Sequence, residues 1–204
     1  MSDYGVLFDA TPPPKFERPQ VVLRILIIAI MSALAGAFGW ILGLIYLGVP
    51  VLAAVLISQK GSEHYLAESN GDMTRWLRYI VGFYAYVCLL VDRLPTGEAA
   101  TTVQFEVKTS GTPSVGNALL RIILAIPSAI VIGLLWIVGL ILLVIAAISI
   151  LISESYPSGI YDFLRGLVRW EARLLAYLAS LVQDYPPFAL DTGPLGAASG
   201  AAEA

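Results

Sequence analysis

The sequence predicts an all-α membrane protein of two tandem parallel repeats, each a short transmembrane helical hairpin followed by an amphipathic interfacial helix. Three observations predict this. The chain is 58% hydrophobic and 13% charged, far more apolar than an ordinary soluble domain. Two stretches, Ile25 to Ser58 and Ile122 to Ser153, contain no Asp, Glu, Lys, Arg or His, and about 18 such residues already suggest a membrane span. Third, the motifs of the first half recur in the second. Arg24 precedes Trp40-Ile41-Leu42-Gly43-Leu44 much as Arg121 precedes Trp136-Ile137-Val138-Gly139-Leu140. Leu56-Ile57-Ser58-Gln59 is matched by Leu151-Ile152-Ser153-Glu154. Arg78, Ala85-Tyr86, Leu90-Val91 and Pro95 are matched, at the same spacing, by Arg169, Ala176-Tyr177, Leu181-Val182 and Pro186.

Residues 1–20 read as a polar, proline-rich arm. Pro12-Pro13-Pro14 favours an extended conformation, and Tyr4 to Asp9 could form a short strand. The arm lacks the pattern of a secretory signal peptide, so the first apolar segment is expected to act as the insertion signal.

The first repeat is expected at 21–95, with a hairpin over 21–58 and a helix over 73–92. A helix of ~34 residues would be about 51 Å long, against a hydrocarbon core of about 30 Å. The segment should therefore fold in two. The bend is expected between Gly39 and Pro50, where Gly43 and Gly48 relax the backbone. The second repeat is expected at 115–191, with a hairpin over 118–153 and an interfacial helix over 160–183. Its bend should fall near Trp136 to Gly139, so Trp40, Gly43, Trp136 and Gly139 mark the hairpin tips. Tryptophan at a tip suits the lipid–water boundary. The hairpins either cross a thinned bilayer or re-enter from one side. The linker, 96–114, holds the alternating Val103-Gln104-Phe105-Glu106-Val107, a strand pattern. The tail, 192–204, is rich in small residues and expected to be flexible.

On a helical wheel of 161–183, Leu164, Leu167, Val168, Leu174, Leu175, Leu178 and Val182 share one side. Asp162, Arg165, Arg169, Arg173, Ser180 and Gln183 lie opposite. This is the pattern of a helix lying in the membrane surface, or of one that binds a partner. All twelve Lys and Arg residues lie outside the charge-free stretches. The positive-inside bias then puts both termini in the cytoplasm, and each unit enters and leaves on the same side.

These residues resemble a family of small bacterial membrane proteins described only as domain of unknown function 4389. The resemblance covers 21–95 and 115–191. It is closest in Leu120-Arg121-Ile122-Ile123-Leu124-Ala125-Ile126-Pro127, Tyr156-Pro157-Ser158-Gly159-Ile160-Tyr161-Asp162-Phe163, Arg169-Trp170, Ala176-Tyr177-Leu178 and Asp184-Tyr185-Pro186-Pro187-Phe188. The first half keeps Asp92-Arg93-Leu94-Pro95 but lacks the Tyr-Pro-x-Gly turn and the terminal Tyr-Pro-Pro-Phe. The resemblance implies a bacterial inner-membrane protein with paired spans and implies no reaction.

Few residues offer chemistry. Glu171 stands within the apolar stripe, where an ionised carboxylate is costly unless paired. It is expected to pair with Arg121 or a partner subunit, or else to reach headgroup water. The matching position in the first half is Ile80. Arg24 and Arg121, at the hairpin entrances, are expected to anchor the helices and contact lipid phosphate or a partner, as are Arg165, Arg169 and Arg173. Tyr185, Pro186, Pro187 and Phe188 read either as a rigid docking strip or as a helix stop that folds back. Cys88 is the lone cysteine and His64 the lone histidine, so a metal site is not expected. There is no phosphate loop, zinc pattern or serine nucleophile elbow, and no cofactor is expected. A net charge of −3 with no basic block argues against nucleic acid. No small-molecule substrate is evident. The expected function is a non-catalytic accessory or scaffold subunit that contacts lipids and other integral membrane subunits, such as those of a respiratory or photosynthetic assembly. The alternatives are a membrane-shaping or anionic-lipid-binding protein and, third, a small transporter.

Overall fold

The computed structural model describes residues 4–13, 15–35, 38–69, 71–93 and 103–191, without the side chains of 27–42 and 69. The elements are β1 (Val6–Ala10), α1 (Arg18–Ala35), α2 (Phe38–Lys60), α3 (Ser62–Ser69), α4 (Asp72–Val87), β2 (Val103–Val107), α5 (Val115–Leu124), α6 (Ile126–Ser153) and α7 (Ser158–Leu178). The tail expected at 192–204 lies outside the described residues.

The alternation at 103–107 is a strand. Val103, Phe105 and Val107 point inward while Gln104 and Glu106 are exposed. It pairs antiparallel with β1, Phe8 opposite Phe105 and Val6 opposite Val107. The ribbon is two-stranded, and such a ribbon needs packing against helices to persist. Here β1 lies on α7 and β2 on α4, so each strand rests on the helix of the other half. The long helices cross over in the same way: α2 packs along α5, and α1 against α6.

The bend expected between Gly39 and Pro50 is not there: α2 runs unbroken through Gly43, Gly48 and Pro50. A proline removes one ladder hydrogen bond. Ending a helix in apolar surroundings exposes more backbone groups than that, so continuing is the cheaper solution.

The second segment is not a hairpin with its tip at Trp136 to Gly139. α6 is one helix of 28 residues through both positions, about 42 Å long. The break falls instead at Ala125, and Pro127 sits in the first turn of α6, where its missing N–H would have had no partner in any case. Gly139 serves close packing rather than bending. A Cβ there would lie 3.3 Å from Leu167 Cδ2 and 3.4 Å from Leu164 Cδ2.

Among the described residues, two helices are long and apolar enough to cross a membrane, Gly43–Lys60 of α2 and the whole of α6. α5 has ten residues, too few to cross. The outer face of α6 exposes Ile130, Leu134, Ile137, Ile141, Ile148 and Ile152.

α7 is not a surface helix. Every residue from Leu164 to Ala172, and from Leu174 to Val182, is buried. The wheel separates its two faces correctly. The arginines of the polar face, however, are covered by β1 and by the segment after α7, while Asp162 and Gln183 at its ends reach the surface.

α4 and α7 pack together and end alike. Cys88, Leu89 and Leu90 donate backbone N–H bonds to Tyr84, Tyr86 and Ala85. Ala179, Ser180 and Leu181 donate to Leu175, Tyr177 and Ala176. This is the Schellman closure, normally made with glycine. Here Leu89 (φ 61°) and Ser180 (φ 56°) take the left-handed position. Ser180 is fully buried and its hydroxyl has no hydrogen-bond partner. Replacing it with glycine removes both the left-handed cost and the unpaired hydroxyl. Ser180→Gly is expected to stabilise the protein by about 1–2 kcal/mol, read as a raised thermal midpoint in detergent. A lowered midpoint would mean that the Cβ contacts outweigh both terms.

Candidate functional site

Four elements meet around Glu171. The residue is 2% exposed and projects from α7 into the apolar interior. Tyr46 of α2 donates its hydroxyl to Oε1 at 3.4 Å. Trp136 of α6 stands close enough to favour the carboxylate, but its indole N–H has no partner of hydrogen-bond geometry. Tyr84 and Cys88, from α4 and its C-terminal end, feel the same charge. Glu171 Oε2 and the Tyr84 hydroxyl are also without hydrogen-bond partners.

Among the described residues Glu171 has no ion pair. The guanidinium of Arg121, its expected partner, is engaged elsewhere. Arg121 donates through Nη1 to Tyr177 O at 2.5 Å and Val182 O at 2.8 Å. It also lies 4.4 Å from the centre of the Tyr177 ring. The helix-end carbonyls of α7 hold the cation more than a turn beyond Glu171. Burial therefore dominates the carboxyl, raising its pKa from 4.5 to about 8, against smaller opposing effects of Trp136 and Tyr46. Near neutral pH the group is a neutral acid, able to donate one hydrogen bond as well as accept.

Arg24 repeats the geometry of Arg121. It donates through Nη2 to Val91 O at 2.6 Å and Asp92 O at 2.5 Å. It lies 4.2 Å from the centre of the Tyr86 ring, with Asp92 3.6 Å away. Tyr86 and Val91 occupy the motif positions of Tyr177 and Val182.

Other contacts pass between the halves. Arg78 donates to Phe105 O at 3.1 Å, and Arg169 to Phe8 O at 2.9 Å. Tyr156 donates to Cys88 O at 3.1 Å, and Tyr65 donates to Ala179 O. Each tyrosine closes the helix end of the opposite half.

The three arginines of α7 also turn inward. Arg165 reaches Asp162 at 2.8 Å and Asp9 at 3.8 Å. Arg169 adds Asp9 at 3.3 Å and Asp191 O at 2.6 Å. Arg173 pairs with Asp191 at 2.7 Å. Arg24, Arg121, Arg165 and Arg169 are buried. Within the chain, the charges of these arginines and of Arg173 meet protein carbonyls and acids that chain folding brings from Asp9 and Asp191.

The strip at 185–188 folds back. Tyr185 lies edge-on to Tyr177 at 5.3 Å, and Phe188 edge-on to Trp170 at 5.6 Å. The Tyr185 hydroxyl is 2.7 Å from Ser128 Oγ. Gly43 has open space around it, and the Trp40 side chain lies outside the described residues. No group of three or more His, Cys, Asp or Glu is placed to hold a metal among the described residues.

Sequence reasoning missed Tyr46, Tyr84, Tyr65, Tyr156 and Asp9. Tyr46 carried a usable signal, being the single tyrosine within the two charge-free stretches.

The Glu171 pocket predicts a pH dependence. The folded protein holds the carboxyl proton up to about pH 8, whereas an unfolded glutamate releases it above about 4.3. The folded state therefore binds more protons in that window, and stability falls as pH rises through it, by at most about 1.4 kcal/mol per unit. Glu171→Gln should flatten this stretch of the denaturation profile between pH 5 and 8. Parallel profiles for the two proteins would refute the assignment.

No curated protein and no solved structure matches the chain. Residues 116–189, from α5 through the folded-back strip, match the family model described as Domain of unknown function (DUF4389).

Proposed function

We propose that this chain is a non-catalytic integral membrane subunit, built from two copies of one module and serving as a scaffold against a larger membrane complex. The observation that carries the reading is a division of surfaces. The buried arginines, and the tyrosines at the two helix ends, are engaged within the chain, and the long outer face of α6 is apolar. An apolar face of that length on a small protein suits lipid and neighbouring spans, where dispersion and shape drive association.

The two-copy reading draws on the paired contacts. Arg24 and Arg121, Arg78 and Arg169, and Tyr65 and Tyr156 each make the same bond to matching partners. The arrangement is that of an isologous dimer whose two protomers are joined in one chain. α2 and α6 supply the apolar lengths that enter the bilayer, and each half enters and leaves on the side where β1 and β2 pair. The strands and the arginine-bearing faces form the cytoplasmic layer of a bacterial inner-membrane protein, with both termini on that side.

Gentle solubilisation and tag pull-down should recover the chain with a stoichiometric set of membrane subunits. Recovery without any such partner would sink the scaffold reading. The two-copy reading has a separate test. Halves divided between residues 94 and 102 and co-expressed should co-purify, and each expressed alone should aggregate, because the strand and tyrosine contacts are exchanged. A stable, monomeric single half would refute it.

A further inference from the structure

One cleft outside the Glu171 pocket combines apolar and charged walls. It has a volume of about 270 Å³ and lies where α2 leaves its apolar stretch. Leu52 and Leu56 of α2 and Met73 and Trp76 of α4 line its apolar side. Lys60, Glu68 and Asp72 form its polar rim. Leu52, Leu56 and Lys60 follow one another at intervals of four on one face of α2. That face therefore passes from hydrocarbon-like to charged over about 12 Å. This is the gradient a phospholipid meets between its chains and its headgroup. Leu52 itself is 49% exposed, and Leu44, Leu47, Val51 and Val55 are exposed further round α2. Trp76 is 69% exposed, and an exposed tryptophan at such a boundary suits the interface.

The feature belongs to the first half. α3 supplies Glu68 as part of the rim, and no helix stands between α6 and α7. The motif counterparts of Trp76 and Tyr79 are Leu167 and Trp170. The first pair is exposed and the second buried.

The rim charges choose among lipids. Glu68 is bonded to Lys60 and lies 2.9 Å from His64, and Asp72 lies 2.9 Å from Arg75. These pairs are exposed and readily exchanged. One lysine beside two carboxylates offers a seat for a phosphate and a stronger one for a cation.

We propose that this cleft binds a membrane phospholipid with a primary-amine headgroup, of the phosphatidylethanolamine class. The phosphate sits at Lys60, the ammonium donates to Glu68 and Asp72, and the chains lie along the exposed face of α2. The inference rests on the membrane reading above. A headgroup without an amine leaves the two carboxylates facing a phosphate, and a trimethylated amine has no N–H to donate.

The full chain, purified in detergent, is mixed with equal amounts of phosphatidylethanolamine, phosphatidylcholine and phosphatidylglycerol, and retained lipid is read by native mass spectrometry. Phosphatidylethanolamine should be favoured by roughly tenfold. The Glu68→Gln, Asp72→Asn double variant should lose that preference. Leu52→Trp, which fills the cleft from an exposed position, should lose the adduct while keeping the wild-type circular dichroism. Equal retention of the three lipids, or adducts unchanged in both variants, overturns the proposal. If the chain needs detergent yet shows no amine preference, this inference fails and the membrane reading stands. If it is monomeric without detergent, both fail.

Discussion

A helix that stops inside apolar protein leaves carbonyls with no water to bond, each worth about 1–3 kcal/mol if left unpaired. α4 and α7 both stop this way, and the rest of the structure is arranged around that constraint. Their last carbonyls are met by side chains from elsewhere: Arg24 and Arg121 through the guanidinium fork, and Tyr65, Tyr156 and Tyr161 through their hydroxyls. A fork can serve two carbonyls at once. Its other face rests on a tyrosine ring, so the cation is held without needing a carboxylate on every side. The arginines that look in sequence like headgroup anchors are the pieces that let two helix ends be buried.

This explains what the sequence can and cannot reveal. The apolar stretches, the alternation at 103–107 and the recurrence of motifs are local or periodic, and all are visible in the chain. The wheel of α7 also separates its faces correctly. What covers the polar face is Asp9 and the backbone of β1, some 160 positions away, and no local pattern announces them. Similarly, Trp136-Ile137-Val138-Gly139 resembles a bend because tryptophan and glycine favour boundaries. In the fold that glycine is the point where Leu164 and Leu167 press against α6, a tertiary fact. Glu171 stands out from sequence because it breaks a stripe. Its tyrosine and tryptophan neighbours come from three other helices.

The two halves are alike in their scaffolding and different in what they carry. Shared positions are those that close helix ends and seat strands. The differences lie at Glu171 against Ile80, and in α3 with the cleft beside it. A buried acid without an ion pair weakens the fold above its pKa, and an exposed Trp76 leaves apolar surface uncovered. Neither helps build the frame that the matching contacts make, so if the halves are copies, these are the places where one has been shaped separately from the other.

The strand register has a consequence for copy number. Phe8 faces Phe105, and these two residues stand the same distance ahead of Arg24 and Arg121. If the halves are copies, each strand pairs with its own equivalent about a central point. Such pairing is closed. It is complete with two members and leaves no vacant place of the same kind for another. An odd copy appended to the chain would present a strand without a mate and two buried helix ends without their tyrosines. Growth of this architecture would therefore proceed by whole pairs, whether the pair is encoded in one polypeptide or brought together from two.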